Sequence, residues 1–278
     1  MALDLIYITN NPKVALIAEK NGVEYIMVDL ETLGNDERLK NMNSVKSHHS
    51  IRDIEIISNV LTKSSVLVRV NPINPNSKSE IEKVIAAGAD MIMLPMWKNT
   101  ATVKKFLDIV NNRVKTMLLL ETKEATECVD EVLAMGNFDE IHIGLNDLHL
   151  SYGLTFMFEP LTNGTVEMLC NKFQRAGVPY GFGGIARISK GILPAEKIVM
   201  EHYRLGSTKA ILSRSFCNTE EIKNIREIES IFFKNIINLR NYESSLLQKT
   251  EDEYKKNTES VKKCVAQIVE KIKEKKSQ

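Results

Sequence analysis

The chain has 278 residues, of which 37 are basic and 36 acidic, so its formal net charge at pH 7 is only +1. A charge this balanced gives no sign of a nucleic-acid or anionic-membrane partner. No apolar stretch approaches the ~20 residues of a membrane span, the N-terminal Met-Ala-Leu-Asp-Leu lacks the basic start of a signal peptide, and the four cysteines form no Cys-x-x-Cys pair. We therefore expect a cytoplasmic protein with reduced, mostly structural thiols.

Short apolar runs alternate with helical patterns along most of the chain. The strands are predicted at Leu3 to Thr9, Glu24 to Glu31, Ser65 to Asn71, Asp90 to Met96, Val114 to Thr122, Glu140 to Asp147, Tyr180 to Ala186 and Lys209 to Ser213. The helices between them are predicted at Pro12 to Asn21, Ile51 to Leu61, Ser79 to Ala87, Thr100 to Asn111, Ala125 to Met135, Thr165 to Ala176 and Pro194 to Leu205. Eight such units in about 215 residues predict an α/β fold, the TIM or (β/α)8 barrel, because an open doubly wound sheet rarely needs so many equal units.

A change of composition near Asn218 predicts the one boundary in the chain. We assign residues 1–218 to the barrel and catalytic domain, and residues 219–278 to C-terminal helices that include the eighth barrel helix. The last helix has a narrow apolar stripe of Val261, Val265, Ile268 and Ile272 in a Lys/Glu-rich tail. A stripe this narrow suits either packing on a neighbouring subunit, which would make a homo-oligomer, or a solvated tail.

Two acidic residues, Glu121 and Asp147, each close an apolar β-type run and precede a helical pattern. Both carboxylates should therefore reach the carboxyl-terminal rim of the barrel, where such barrels hold their active sites. Hard oxygen ligands without a Cys or a nearby His pair suit Mg²⁺ or Mn²⁺ better than zinc. The pair predicts a divalent-metal site.

Other polar residues end the neighbouring strands. Asp29 and Glu31 follow the second strand and share one face of it, while Arg69 closes the third. Such a rim would bind a small anionic oxo acid, through a residue set that we predict as Arg69, Asn71, Pro95, Gly183, Gly184 and Arg214. The glycines lie close to the loops after strands seven and eight, where barrels bind phosphate through backbone N–H groups.

Arg69 and His49 each allow two interpretations. The Arg69 guanidinium follows a Val/Leu strand and needs an anionic partner. We favour a substrate carboxylate, but Asp29 and Glu31 could instead pair with Arg69 or Arg214. His49 ends a long polar loop that begins at Thr32, and loops of more than about 15 residues are usually lids, binding loops or disordered.

These residues resemble a known group, the HpcH/HpaI aldolase and citrate lyase β-subunit family of the phosphoenolpyruvate/pyruvate barrel superfamily. The resemblance extends from about Asn21 to Phe216. The motifs that carry it, in order, are Met27-Val28-Asp29-Leu30-Glu31, Val68-Arg69-Val70-Asn71-Pro72, Gly88-Ala89-Asp90-Met91-Ile92-Met93-Leu94-Pro95, Leu120-Glu121-Thr122 and Gly144-Leu145-Asn146-Asp147-Leu148.

The resemblance implies that Glu121 and Asp147 hold Mg²⁺ or Mn²⁺, which chelates an α-keto acid or the enolate derived from it. It implies that Arg69 binds the same oxygen, that the reaction makes or breaks a C–C bond beside a carbonyl, and that the protein forms trimers or hexamers. The expected activity is therefore that of a metal-dependent lyase or aldolase.

The sequence departs from the aldolase branch of that family at its general base. A His follows the second-strand glutamate there, but here Thr32 follows Glu31, so the base would be drawn from Glu31, Asp29 or His49. The short connection from Trp97 to Arg113 is nearer the compact citrate lyase-like branch. Three alternatives stay open: an acyl-CoA thioester hydrolase, a transferase that uses phosphoenolpyruvate, and a non-catalytic metabolite-binding barrel.

Overall fold

The protein forms a closed barrel of eight parallel strands, seen in a computed structural model that describes residues 2–33, 49–219 and 221–276. The strands neighbour one another in chain order, and β8 pairs with β1 to close the barrel. They are β1 (Asp4–Ile8), β2 (Tyr25–Asp29), β3 (Ser65–Arg69), β4 (Met91–Leu94), β5 (Lys115–Leu120), β6 (Glu140–Ile143), β7 (Tyr180–Ile185) and β8 (Lys209–Leu212). The prediction of a TIM-type barrel with C-terminal helices is confirmed.

Helices follow the strands and form the outer layer. In the described residues they are α1 (Pro12–Lys20), α2 (Ile51–Val60), α3 (Ser77–Ala86), α4 (Thr100–Val110), α5 (Lys123–Glu127), α6 (Val129–Met135), α7 (Leu145–Ser151), α8 (Glu159–Thr162), α9 (Thr165–Ala176), α10 (Ala195–Arg204), α11 (Ile225–Leu246) and α12 (Glu251–Lys276). None of these helices combines the length and the apolarity that a bilayer span would need.

Side-chain caps set the starts of several helices directly after strands. The Asn11 side chain accepts the N–H groups of Lys13 and Val14, and Pro12 occupies the first helical position of α1, where its fixed φ is favourable. Asn99 caps α4 in the same way, through the N–H of Thr102. Each cap ends a βα loop within a few residues, so the strand ends stay close to the rim.

The barrel interior is filled by apolar side chains. They are Ile6, Met27, Leu67, Met91, Met93, Met117 and Leu119, all 4% exposed or less. A second, larger core lies between the strands and the helices. Because the interior is packed, any chemistry must take place at the ends of the strands.

The sixth strand ends earlier than predicted. Glu140 to Asp147 was expected to be extended, but β6 stops at Ile143, and Asp147 lies in the first turn of α7. Gly144 marks the change, and a side chain there would meet the Glu121 carboxylate at 2.8 Å. A carboxylate in a first helical turn is favoured by the helix dipole.

The C-terminal helices pack against their own barrel. The Phe232 ring of α11 lies edge-on to Tyr7, with centroids 4.9 Å apart, and Asn235 donates to the Phe216 carbonyl at 2.7 Å. α12 packs on α10 and buries Val261 and Val265. The two environments predicted for this stripe, a neighbouring subunit and solvent, are therefore wrong for Val261 and Val265, although a homo-oligomer remains a prediction.

Candidate active site at the carboxyl-terminal rim

Arg69 is bound by two carboxylates at the rim. Its Nε and Nη2 donate to the two oxygens of Asp29 at 2.9 and 2.8 Å, and its Nη1 lies 3.1 Å from Glu31 Oε2. Burial raises the pKa of Asp29, but the Arg69 charge and hydrogen bonds outweigh it and leave this pKa below its ordinary value. The ion-pair interpretation of Asp29 and Glu31 is thus observed.

These pairs do not use all the donors of Arg69. A guanidinium has five N–H groups; among the described residues two of them donate to Asp29, while Nη1 makes an ion pair with Glu31. Burial lowers the pKa of Arg69, but Asp29, Glu31 and Glu121 raise it above its ordinary value, so the group stays charged. A rigidly held cation with spare donors can bind an anionic oxygen.

Glu121 lies at the end of β5, only 2% exposed. Its Oε1 accepts the N–H of Met96 at 3.0 Å, and Met96 has a left-handed φ of 53°. Left-handed backbone is uncommon and costly for a non-glycine residue outside turns, and such strained positions cluster at active sites and ligand clamps. This backbone bond fixes the carboxylate from one side, and Gly144 leaves room for it on the other.

The electrostatics bring four carboxylates and Arg69 into one site. Burial raises the pKa of Glu121 well above its ordinary value, the charge of Asp147 raises it further, and Glu31 adds to the effect, while Arg69 opposes it. Asp147 itself is half-buried. Glu121, Asp147 and Arg69, which come from three separate strand–helix units, are therefore neighbours.

This donor set fits a hard cation. In the part of the chain that the structure describes, no group of three or more His, Cys, Asp or Glu side chains converges as metal ligands. Mg²⁺ needs only one or two protein carboxylates, because it keeps waters and substrate oxygens as its other ligands. A divalent cation beside Glu121 and Asp147 would also offset the charge repulsion that raises the pKa of Glu121.

A cleft of about 600 Å³ opens beside Arg69 on the β8–β1–β2 side of the rim. Its lining includes Asp29, His49 and Arg69 from the rim, and Arg214 and Lys223 from the segment after β8. Other polar lining residues are Tyr7, Thr9, Asn10, Asn11, Ser213, Cys217, Asn218 and Thr219. Of the lining residues after β8, the sequence predicted only Arg214. The polar residues directly after β1 were the overlooked signal.

Four of the residues that we predict to bind substrate make contacts that support the fold. The Asn71 amide accepts the N–H groups of Thr32 and Leu33 and donates to Glu80 at 2.8 Å, so it organises the chain after β2. Pro95 is buried directly before Met96. Gly183 and Gly184 lie within β7, and a side chain at Gly183 would meet Leu145 at 2.7 Å. Whether these residues contact a substrate remains a prediction.

The histidines have different surroundings. His49 accepts the backbone N–H of Asp29 at 2.9 Å through Nδ1. His142 is buried and pairs its Nε2 with the Gly183 carbonyl at 3.1 Å. His202 is also fully buried, although its helix lies on the outside, and its ring stacks on Phe182 at 3.8 Å. Burial lowers the pKa of His142 to about 4 and that of His202 to about 3.

The fold and the rim define a (β/α)8 barrel whose carboxyl-terminal rim holds a cluster of carboxylates around the partly buried Arg69. The profile of the HpcH/HpaI aldolase/citrate lyase family matches residues 5–159, and the chain belongs to that family. Membership indicates an enzyme of the lyase type. No curated protein matches the chain in sequence.

Solved structures share the fold at low sequence identity. An HpcH/HpaI aldolase from Desulfitobacterium hafniense DCB-2 is 18% identical, with a TM-score of 0.61 over 82% of this chain and 93% of that one. An HpcH/HpaI aldolase/citrate lyase family protein from Burkholderia cenocepacia J2315 is 14% identical, with a TM-score of 0.60 over 82% and 95%. A variant of the citrate synthase SbnG is 15% identical, with a TM-score of 0.56 over 76% and 85%. These similarities support the barrel alone.

Proposed function

We propose that the protein is a carbon–carbon lyase or aldolase that depends on Mg²⁺ or Mn²⁺ and acts through the enolate of a small anionic oxo acid. The observation that carries the proposal is the environment of Glu121. Its buried carboxylate faces Asp147 and Glu31, with Arg69 as the opposing charge. An unbalanced carboxylate cluster of this kind is stabilised by a divalent cation.

Each rim residue has a role in the proposed chemistry. Glu121 and Asp147 would hold the cation, which when bound supplies Lewis-acid polarisation of a carbonyl. Arg69, fixed by Asp29 and Glu31, offers its remaining N–H groups to the oxygen on which negative charge develops. Because the arginine is held before substrate arrives, little reorganisation is needed during the reaction.

The base is assigned to Glu31. Asp29 directs both oxygens to Arg69, and its lowered pKa makes it a weak proton acceptor. Glu31 contacts Arg69 at 3.1 Å through Oε2 and is 2% exposed. A buried carboxylate beside the site of enolate formation suits proton transfer to and from carbon.

The cleft beside Arg69 supports a substrate with a polar or anionic part beyond the reacting carbonyl. Its volume of about 600 Å³ lies in the usual range for ligand sites. Two basic residues, Arg214 and Lys223, line it. Cleavage would then leave the enolate near Glu121 and release the other product through the cleft.

Proton exchange tests the proposal directly. The protein is incubated with Mg²⁺ and pyruvate in D₂O, and NMR follows the methyl protons, which enolate formation exchanges for deuterium. We expect exchange that chelator abolishes and that Asp147→Asn reduces. If pyruvate shows no exchange and oxaloacetate and acetyl-CoA are also inert, simple enolate chemistry is wrong for this protein.

A further inference from the structure

The end of β1 leaves one backbone donor of β2 without a strand partner. Thr9 N–H, just past β1, donates to the Met27 carbonyl at 3.1 Å. Alternation along the strand turns the N–H of Asp29 to the same side, but β1 has ended there. Buried backbone N–H groups are almost always paired, and here His49 Nδ1 is the acceptor, at 2.9 Å.

This bond determines which nitrogen of His49 carries the proton. A backbone N–H can only donate, so Nδ1 must hold a lone pair, and a neutral ring then has its proton on Nε2. A ring in this state donates through Nε2 and has no basic nitrogen left to abstract a proton. His49 lines the cleft together with Asp29 and Arg69, which direct their charges to each other.

We infer that His49 is held as the neutral Nε2–H tautomer and is a hydrogen-bond donor to a substrate oxygen in the cleft, not the base. The identity of the accepting group rests on the proposed function. It is a carbonyl, hydroxyl or carboxylate oxygen of the substrate, next to the substrate oxygen that Arg69 binds. His49, two residues before α2, thus supplies a specificity contact. Its hydrogen bond from the Asp29 backbone couples that contact to the carboxylate that pairs with Arg69. Proton abstraction falls to Glu31.

The tautomer is measurable without any activity. Nitrogen NMR of protein labelled with ¹⁵N-histidine distinguishes protonated from unprotonated ring nitrogens, and the chain holds two internal references. His142 donates from Nε2 to a carbonyl, which is the tautomer expected for His49. His202 faces the Ser207 hydroxyl, which donates to the Lys209 carbonyl, so His202 is expected to carry its proton on Nδ1. A His49 pattern like that of His202, or a doubly protonated ring at about pH 7, would overturn the inference.

Ligand contact is tested on the same sample. We expect Mg²⁺ with pyruvate to shift the Nε2 resonance of His49 and to leave that of buried His142 in place. An unmoved His49 signal, when exchange of the pyruvate methyl protons shows that pyruvate is bound, overturns the substrate contact. Absence of both the shift and the exchange instead counts against the proposed function, while the tautomer is decided by the ligand-free spectrum.

Two substitutions separate a donor from a base. His49→Gln keeps an N–H near the position of Nε2 but cannot take up a proton, whereas His49→Ala removes the donor. For a donor we expect His49→Ala to raise KM roughly tenfold or more, with His49→Gln close to the wild type. If His49 is the base, both variants should lose roughly 10²- to 10⁴-fold in kcat, and this result would contradict the inference. Circular dichroism shows whether each variant is folded, and the wild-type spectra decide if neither is.

Discussion

The two ends of the barrel each hold a cation among carboxylates, but the balance of charge differs. At the amino-terminal end, Lys209 lies 3.0 Å from Asp4 and 3.3 Å from Glu140. At the carboxyl-terminal rim, Arg69 pairs with Asp29 and Glu31, and Glu121 and Asp147 lie in the same electrostatic environment. Among the described residues, one ammonium thus pairs with two carboxylates at one end, whereas at the other end one guanidinium pairs with two and also lies near Glu121, which has Asp147 beside it.

The comparison separates the effect of burial on a carboxylate pKa from the effect of neighbouring charges. Burial raises the pKa of both Glu140 and Glu121, but Lys209 directly lowers that of Glu140. For Glu121 the next largest effect is the charge of Asp147, which raises the pKa further. In the described part of the chain, the carboxylates in excess of their cation lie at the face where barrels keep their active sites, and the better balanced group lies at the face associated with stability.

The largest expected effect comes from removing one rim carboxylate. We expect Asp147→Asn to weaken Mg²⁺ or Mn²⁺ binding at least roughly tenfold and to lower kcat/KM about 10³-fold, or ~4 kcal/mol. Titration calorimetry and turnover measure the two effects. Glu140→Gln at the opposite end is the matched control and should leave metal affinity unchanged. Equal metal affinity in Asp147→Asn and wild type would remove the basis of the metal assignment.

The strand–helix alternation was sufficient to predict the barrel. Its period and spacing set the order of the elements, and the observed strands lie within the predicted ones. The predictions that the structure corrects depend on contacts between segments that are distant in sequence. The early end of β6 depends on Glu121 filling the space beside Gly144, and α12 packs on α10 because Val261, Val265 and Val269 find a surface there. Single-sequence periodicity contains no such contacts.

The site was predictable as a set of residue types at strand ends, but not as a geometry. Alternation placed Asp29, Glu31 and Arg69 on the rim, and the structure joins them. The N–H of Met96 that binds Glu121 depends on a left-handed φ with no sequence signal. The role of the His49 ring depends on where β1 ends relative to β2, which is a property of register.

A truncation tests α12, which contributes neither to the Lys209 ion pairs nor to the carboxylates around Arg69. Removing residues 248–278 deletes α12, which buries Val261, Val265 and Val269 and donates to Glu201 through Asn257 and Thr258. We expect a stability loss of about 3 kcal/mol, less than full burial of the valines would give because the helix must also be ordered. Thermal unfolding measures this loss. Light scattering on the full-length and the truncated protein tests the predicted trimer or hexamer. A changed oligomeric state with unchanged thermal stability would mean that α12 acts between subunits.

Neutralising the buried ammonium should affect stability and not the rim. Lys209→Met leaves Glu140, 7% exposed, without its cation. We expect a loss of about 2 kcal/mol, below the usual cost of breaking a buried pair because Asp4 is one-third exposed and screened. Adding Glu140→Gln to Lys209→Met should recover part of the loss. A large fall in metal affinity in Lys209→Met would contradict the separation of the two ends.

The smallest expected effect is the change in stability caused by Glu121→Gln, and its sign tests whether Arg69 leaves the rim carboxylates uncompensated. The pKa of Glu121 is raised above its ordinary value of 4.5, so its contribution to stability is present below that pH and is lost as the pH rises through the folded-state pKa. In chelator at about pH 7, Glu121→Gln should therefore be more stable than wild type by roughly 1.4 kcal/mol for each unit of the pKa shift, and the difference should vanish below about pH 4.5.

Mg²⁺ should reverse this order of stability, because the cation stabilises the wild-type carboxylate and finds one ligand fewer in the variant. Denaturant unfolding across pH, with and without Mg²⁺, measures this. If Glu121→Gln is less stable than wild type in chelator at about pH 7, Arg69 alone offsets the rim carboxylates, and the contrast with the Lys209 end loses its basis.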